Sequence, residues 1–169
     1  MCRAASMVRE NDAGQEAYSR PPTKEDVKKI CQALNEQEAE YVLVGGLAMN
    51  FHGRLRMTHD IDLLVDPSPK NVQKVIEALS VLPDKAAKEV RSDEVQRYTV
   101  VRVADEVVVD LIGKIGDVTT KNSGTVDFFL EGVKIPVADV DTMIRTKQGL
   151  WERDREEVNF PYTKLYISY

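Results

Sequence analysis

Apolar residues recur at helical intervals from Val27 through Ile30 and Cys31 to Leu34, behind Thr23 and Asp26, which have capping-box spacing. The pattern predicts an amphipathic helix ending before Glu40. Residues 41–44 follow as a short apolar strand, broken by Gly45 and Gly46, and residues 47–52 read as a short helix closed by Gly53. Residues 61–65 read as a second strand, closed by Asp66 and Pro67. Ser68 and Pro69 suit an N-cap and first helical position, and Val72, Val75, Ile76 and Leu79 line one face of the next helix. Beyond Pro83 the pattern turns to β. Residues 95–103 and 106–112 read as strands meeting around Ala104 and Asp105. After a loop over residues 113–124, residues 126–130 and 133–137 flank Glu131 and Gly132 as a hairpin. Asp139 or Asp141 then caps a helix with Val140, Met143 and Ile144 on its apolar face, and Gly149 is expected to end it. The aromatic tail, residues 160–169, reads as an added edge strand or as a partner-binding segment.

Helix, strand, helix, strand, helix and then mainly strands describe an α/β (α+β) chain with a mixed sheet flanked by helices. Residues 1–22 are polar and end at Pro21-Pro22, so they are expected to be a mobile leader, with residues 23–169 forming a single domain. The 169 residues are enough to bury a real core, and 43% hydrophobic with 30% charged residues is an ordinary globular balance. Lys and Arg number 23 against 28 Asp and Glu, a formal net charge of -5. That balance excludes a broad basic surface for strong non-specific nucleic-acid binding, though not a small phosphate pocket. Cys2 and Cys31 cannot build a disulfide framework and lack zinc-ligand spacing. No apolar run reaches membrane-spanning length, and the N-terminus lacks the apolar stretch of a secretory signal, so a cytoplasmic protein is expected.

One stretch carries chemistry. Gly45-Gly46 after a strand lets backbone N–H groups approach phosphate oxygens without a Cβ in the way. After thirteen intervening residues come Asp60-Ile61-Asp62-Leu63, and on a strand Asp60 and Asp62 project together while Ile61 and Leu63 face the core. At a rise of about 3.3 Å per residue their Cβ atoms stand about 7 Å apart and the carboxylates repel, and hard divalent cations favour such oxygen ligands. Asp110 interrupts the apolar run Val107-Val108-Val109 and Leu111-Ile112, which is costly unless the acid is exposed, paired or bound to metal. Between the glycines and the acids lie His52, Arg54, Arg56 and Thr58, which bring cations and donors close to the carboxylates. Acids for metal beside glycines and arginine for phosphate are what a nucleotide-transfer site needs.

Residues 44–65, VGGLAMNFHGRLRMTHDIDLLV, resemble the signature of the DNA polymerase β-like nucleotidyltransferase superfamily. Gly53, Arg56 and Thr58 further resemble its small prokaryotic branch of abortive-infection toxins and minimal antitoxin-type nucleotidyltransferases. The resemblance implies a nucleotidyltransferase fold, two Mg2+ ions with Mn2+ as a substitute, and a nucleoside triphosphate, ATP among them. Asp60, Asp62 and Asp110 are the implied metal-binding and catalytic acids, and Gly45, Gly46, Arg56, Thr58 and Lys147 the implied nucleotide contacts. The implied reaction moves a nucleoside monophosphate to a hydroxyl acceptor, on an RNA end, a protein or a small molecule, in a toxin–antitoxin or defence setting. A homodimer or a cognate partner protein would help choose that acceptor. A non-catalytic nucleotide-binding or interaction module and a metal-dependent phosphohydrolase are the alternative functions. At single residues Asp110 also reads as an exposed edge acid, Arg56 as a loop ion pair, Lys147 as part of a solvated helix face, and His52 as a structural histidine.

Overall fold

The computed structural model describes residues 3–4, 8–10 and 16–157. Short strands β1 (Arg3–Ala4), β2 (Val8–Glu10) and β3 (Glu16–Tyr18) precede the first long helix, α1 (Lys24–Glu36). Thr23 starts that helix as expected: its hydroxyl accepts from the Asp26 amide at 3.3 Å, and the Asp26 carboxylate accepts from the Thr23 amide at 2.7 Å. Arg20 donates to both Asp26 oxygens at 2.6 and 2.9 Å and to Glu106 at 3.1 Å, tying the helix start to the turn that carries Glu106. These bonds, Arg20 first, hold the Asp26 carboxyl down at about 2. Val27, Ile30, Cys31 and Leu34 form the buried face, and burial pushes the free Cys31 thiol up to about 12, which leaves it inert.

The chain continues through β4 (Tyr41–Val44), α2 (Gly45–Phe51), β5 (Asp60–Val65) and α3 (Pro69–Leu79). A 3-10 turn (Ala86–Glu89) and the one-turn helix α4 (Glu94–Arg97) then lead to β6 (Val101–Ala104) and β7 (Val108–Ile112). The hairpin β8 (Thr125–Leu130) and β9 (Val133–Ala138) and the helix α5 (Val140–Glu157) complete the described chain. Strand order in the main sheet is β1-β6-β7-β5-β4-β9-β8, with β2 and β3 paired apart from it. The β5–β7 and β4–β9 pairs are parallel, and β4–β5, β6–β7 and β8–β9 are antiparallel, so the sheet is mixed as expected.

The interior strand β4 has every residue buried, while α1 and α3 pack against each other over the core. Asn71, buried at the start of α3, accepts from the Glu40 amide at 2.7 Å and donates to the Glu40 and Asp66 carbonyls at 3.0 and 2.9 Å. One side chain therefore locks the entry to β4 against the exit from β5. The hairpin turn needs positive φ at both central residues, and Glu131 and Gly132 take 48° and 85°.

Two expectations are corrected. Residues 95–97 are helical and the strand starts only at Val101. Val95 is the lone apolar residue between Arg91 and Arg97, so one buried contact is satisfied equally well by a single helical turn. Gly149 does not end the last helix, which runs on to Glu157. An interior glycine costs a helix only about 1 kcal/mol, and the run beyond it is rich in Glu and Arg, which favour helix. The aromatic tail, residues 160–169, lies outside the described residues.

Candidate functional site

The strand β4 delivers Val44 directly opposite Asp62 of β5, and Gly45 follows at once. Gly45 has φ +71°, and a Cβ placed there would overlap the Asp62 carboxylate. Both facts demand glycine, and the bare backbone leaves the acid room beside the turn. A Cβ on Gly46 would overlap the Thr58 methyl and lie 3.5 Å from Arg56 Nε. The α2–β5 loop therefore folds back and sets Thr58 and Arg56 against the glycine pair. Asn50 holds this loop: its amide donates to the Arg56 carbonyl at 3.1 Å and accepts from the Arg56 amide at 2.8 Å.

The register of the sheet assembles the carboxylates. Asp62 pairs directly with Asp110 across the parallel β5–β7 ladder, and Asp60 lies two residues away on the same face. Each of Asp60, Asp62 and Asp110 offers an oxygen within 4.8 Å of the others. Ile61 and Leu63 are fully buried on the opposite face, as the alternation requires.

One more side chain enters, and the sequence reading missed it. Arg102 of β6 pairs directly with Asp110 across the antiparallel β6–β7 ladder. Its Nε donates to Asp110 Oδ1 at 2.8 Å, and its Nη2 to Asp110 Oδ2 at 2.7 Å and to Asp60 Oδ2 at 3.1 Å. A cation inside the apolar run Val100-Val101-Arg102-Val103 was the available signal, of the same kind that singled out Asp110. Asn50 was missed as well, and a loop clamp of this type leaves no pattern in a single sequence.

The charges do not balance: three carboxylates converge on one guanidinium that bonds two of them, and Arg56 adds a more distant attraction at Asp62. Burial, followed by repulsion from Asp60 and Asp110, pushes the Asp62 carboxyl up to about 8. Asp60 is raised too, by burial and then by Asp110. A convergent set of hard oxygen donors with excess negative charge fits a divalent cation such as Mg2+ or Mn2+.

Lys147 and His52 are also singled out in the sequence. Lys147 is exposed on α5, and among the described residues no hydrogen bond or ion pair ties it to the carboxylates. The His52 ring donates through Nε2 to the Ala138 carbonyl at 2.7 Å and sets its edge against Phe128, so it is a structural histidine. A cleft of about 530 Å³ opens beside the α2–β5 loop, where Leu47, Phe51, Leu55 and Met57 line it together with Arg56 and Thr58. The carboxylates do not line it.

Comparison with known proteins agrees with this fold. A family model described as the nucleotidyl transferase AbiEii toxin of a type IV toxin–antitoxin system matches residues 30–148, a span that includes every residue of the site. No curated protein matches the sequence. Among solved structures, a Thermotoga maritima protein described as a candidate nucleotidyltransferase superposes with a TM-score of 0.56 at 19% identity. The match covers 79% of this chain and 87% of the other, and it shows a shared nucleotidyltransferase fold.

Proposed function

Because the chain belongs to the AbiEii nucleotidyl transferase family, we propose that it moves a nucleoside monophosphate from a nucleoside triphosphate to a hydroxyl acceptor, as one half of a toxin–antitoxin pair. The observation that carries this reading is the convergence of Asp60, Asp62 and Asp110 within 4.8 Å, beside a glycine turn with no room for a side chain. Fold likeness alone would not carry it, since one fold hosts many activities.

Asp60 and Asp62 would hold two Mg2+ ions, with Asp110 on the acceptor side. Bound there, the ions would neutralise the triphosphate and acidify the acceptor hydroxyl. The backbone of Gly45 and Gly46, free of side chains, would receive phosphate oxygens, and Thr58 and Arg56 stand beside it as a hydroxyl and a cation. Lys147, exposed on α5, would be a further phosphate cation. The acceptor oxygen bonds to the α-phosphorus, the bond from that phosphorus to the bridging oxygen breaks, and pyrophosphate leaves. Asp110 takes the acceptor's proton. The residues contribute chiefly by positioning and by fixed charge.

The test incubates the protein and an Asp62→Ala variant with Mg2+ and each α-labelled triphosphate. RNA, protein and small-molecule acceptors are offered in separate arms. Label should reach one acceptor class in the wild type, with pyrophosphate released, and fall at least about a hundred-fold in the variant. Equal transfer by both proteins would sink the assignment. Inorganic phosphate in place of pyrophosphate would favour a phosphohydrolase.

A further inference from the structure

We propose that Arg102 is an exchangeable counter-ion: it holds Asp60 and Asp110 together in the metal-free protein and trades them for triphosphate when divalent ions enter. The phosphate half of this inference rests on the transferase reading above. The counter-ion half rests on the geometry alone.

The guanidinium engages both oxygens of Asp110 and one of Asp60 through three contacts of 2.7 to 3.1 Å. The Asp110 side chain is only 7% exposed and both of its oxygens are engaged by Arg102, so an incoming ion meets the guanidinium at this carboxylate. A divalent ion approaches carboxylate oxygen to about 2.0–2.6 Å and brings a charge that repels the guanidinium. Entry at Asp110 therefore requires Arg102 to release at least one contact.

A released Arg102 stays at the site. Its backbone is fixed in β6 directly opposite Asp110, on the same face of the sheet, while Val101 and Val103 are buried on the other face. The Arg102 side chain is 17% exposed, so it has an outlet toward solvent. A planar fork of five N–H donors, displaced from a carboxylate, matches phosphate oxygens better than any other side chain. A purely structural ion pair would be neutral. Here one cation serves two members of a three-carboxylate cluster, and a net negative charge is left that attracts the ion which displaces it.

The exchange predicts opposite effects on two affinities, which a merely structural role does not. Mn2+ binding is read from loss of the free ion's EPR signal, without nucleotide. Binding of a non-hydrolysable triphosphate analogue is read by calorimetry at saturating Mn2+. Arg102→Gln is expected to bind Mn2+ on the order of ten-fold tighter and the analogue on the order of ten-fold weaker, within the usual range of coupling between sites. Asp62→Asn should lose Mn2+ binding, and retained binding would place the signal outside the cluster and overturn the inference. Unchanged or weaker Mn2+ binding by Arg102→Gln overturns the counter-ion half. Tighter Mn2+ with unchanged analogue affinity overturns the phosphate half. If the wild type binds no analogue, the transferase reading fails together with the phosphate half, while the Mn2+ comparison still decides the counter-ion half. Should Arg102→Gln not fold, Arg102→Lys keeps the charge without the fork. It is then expected to bind Mn2+ a few-fold tighter than wild type, and equal affinity overturns the proposal.

Discussion

Replacing Asp62 by Asn should stabilise the metal-free protein while removing its metal site. The Asp62 carboxyl is raised from an ordinary 3.8 to about 8, chiefly by burial and then by Asp60 and Asp110. A group with a raised folded-state value contributes stability fully below its unfolded value and loses it as pH rises through the folded one. The window here runs from about pH 4 to about pH 8. At pH 7 the folded chain keeps Asp62 protonated while the unfolded chain ionises it, so each unit above 3.8 costs about 1.4 kcal/mol. That arithmetic reaches about 4 kcal/mol as a ceiling. Asp62 is only partly shielded from water, which lowers the expected gain for Asp62→Asn to about 2 kcal/mol. For a chain of this size that gain is roughly 4–8 °C in Tm. The assay is thermal unfolding in EDTA at pH 4 and pH 7, repeated with Mn2+ at pH 7. The variant should melt higher than wild type at pH 7 and equally at pH 4, and Mn2+ should raise only the wild type. A variant that melts lower than wild type at pH 7, or gains as much at pH 4, refutes the electrostatic reasoning.

Other perturbations test separate parts of the account. Gly45→Ala forces an L residue to φ +71° and into the Asp62 carboxylate, so it should cost about 1–2 kcal/mol in unfolding and about a hundred-fold in transfer rate. Asn50→Ala frees the loop that sets Arg56 and Thr58 against the glycines, and should raise KM for the triphosphate with a stability loss of about 1 kcal/mol. Asp26→Asn removes the Arg20 pair and half of a capping box, and should cost about 1–2 kcal/mol at pH 7 by denaturant melts. Because the Asp26 carboxyl is held down at about 2, that stability is present above about pH 4 and fades as pH falls through 2, so the variant's deficit should shrink in acid. Lys147→Ala should raise KM for the triphosphate a few-fold and leave the Mn2+ affinity unchanged.

The parts of the site that were legible in the sequence are local ones. Gly45-Gly46 and Asp60-x-Asp62 each depend on a few contiguous residues, and the two-residue period of a strand suffices to put both acids on one face. Asp110 was found as an anomaly in an apolar run, yet its partner is set by the β5–β7 register, which spacing does not encode. Arg102 was equally anomalous, but its meaning depends on β6 lying antiparallel to β7, with Arg102 opposite Asp110. Long-range strand pairing, not composition, decides whether such a cation is a solvated residue or a counter-ion. Residues 95–97 were misread for a related reason: a single buried valine fits either period, and tertiary packing selects the helical turn. The helix stop at Gly149 failed because propensity costs about 1 kcal/mol and the following residues outweigh it.

The most direct test of the central claim is a crystal structure of the protein with Mg2+ and a non-hydrolysable nucleoside triphosphate. Density for divalent ions among Asp60, Asp62 and Asp110, with the phosphates lying against Gly45 and Gly46 and Arg102 turned from Asp110 toward them, is the predicted result. Triphosphate bound elsewhere, or carboxylates without an ion while Arg102 keeps its three contacts, would contradict it.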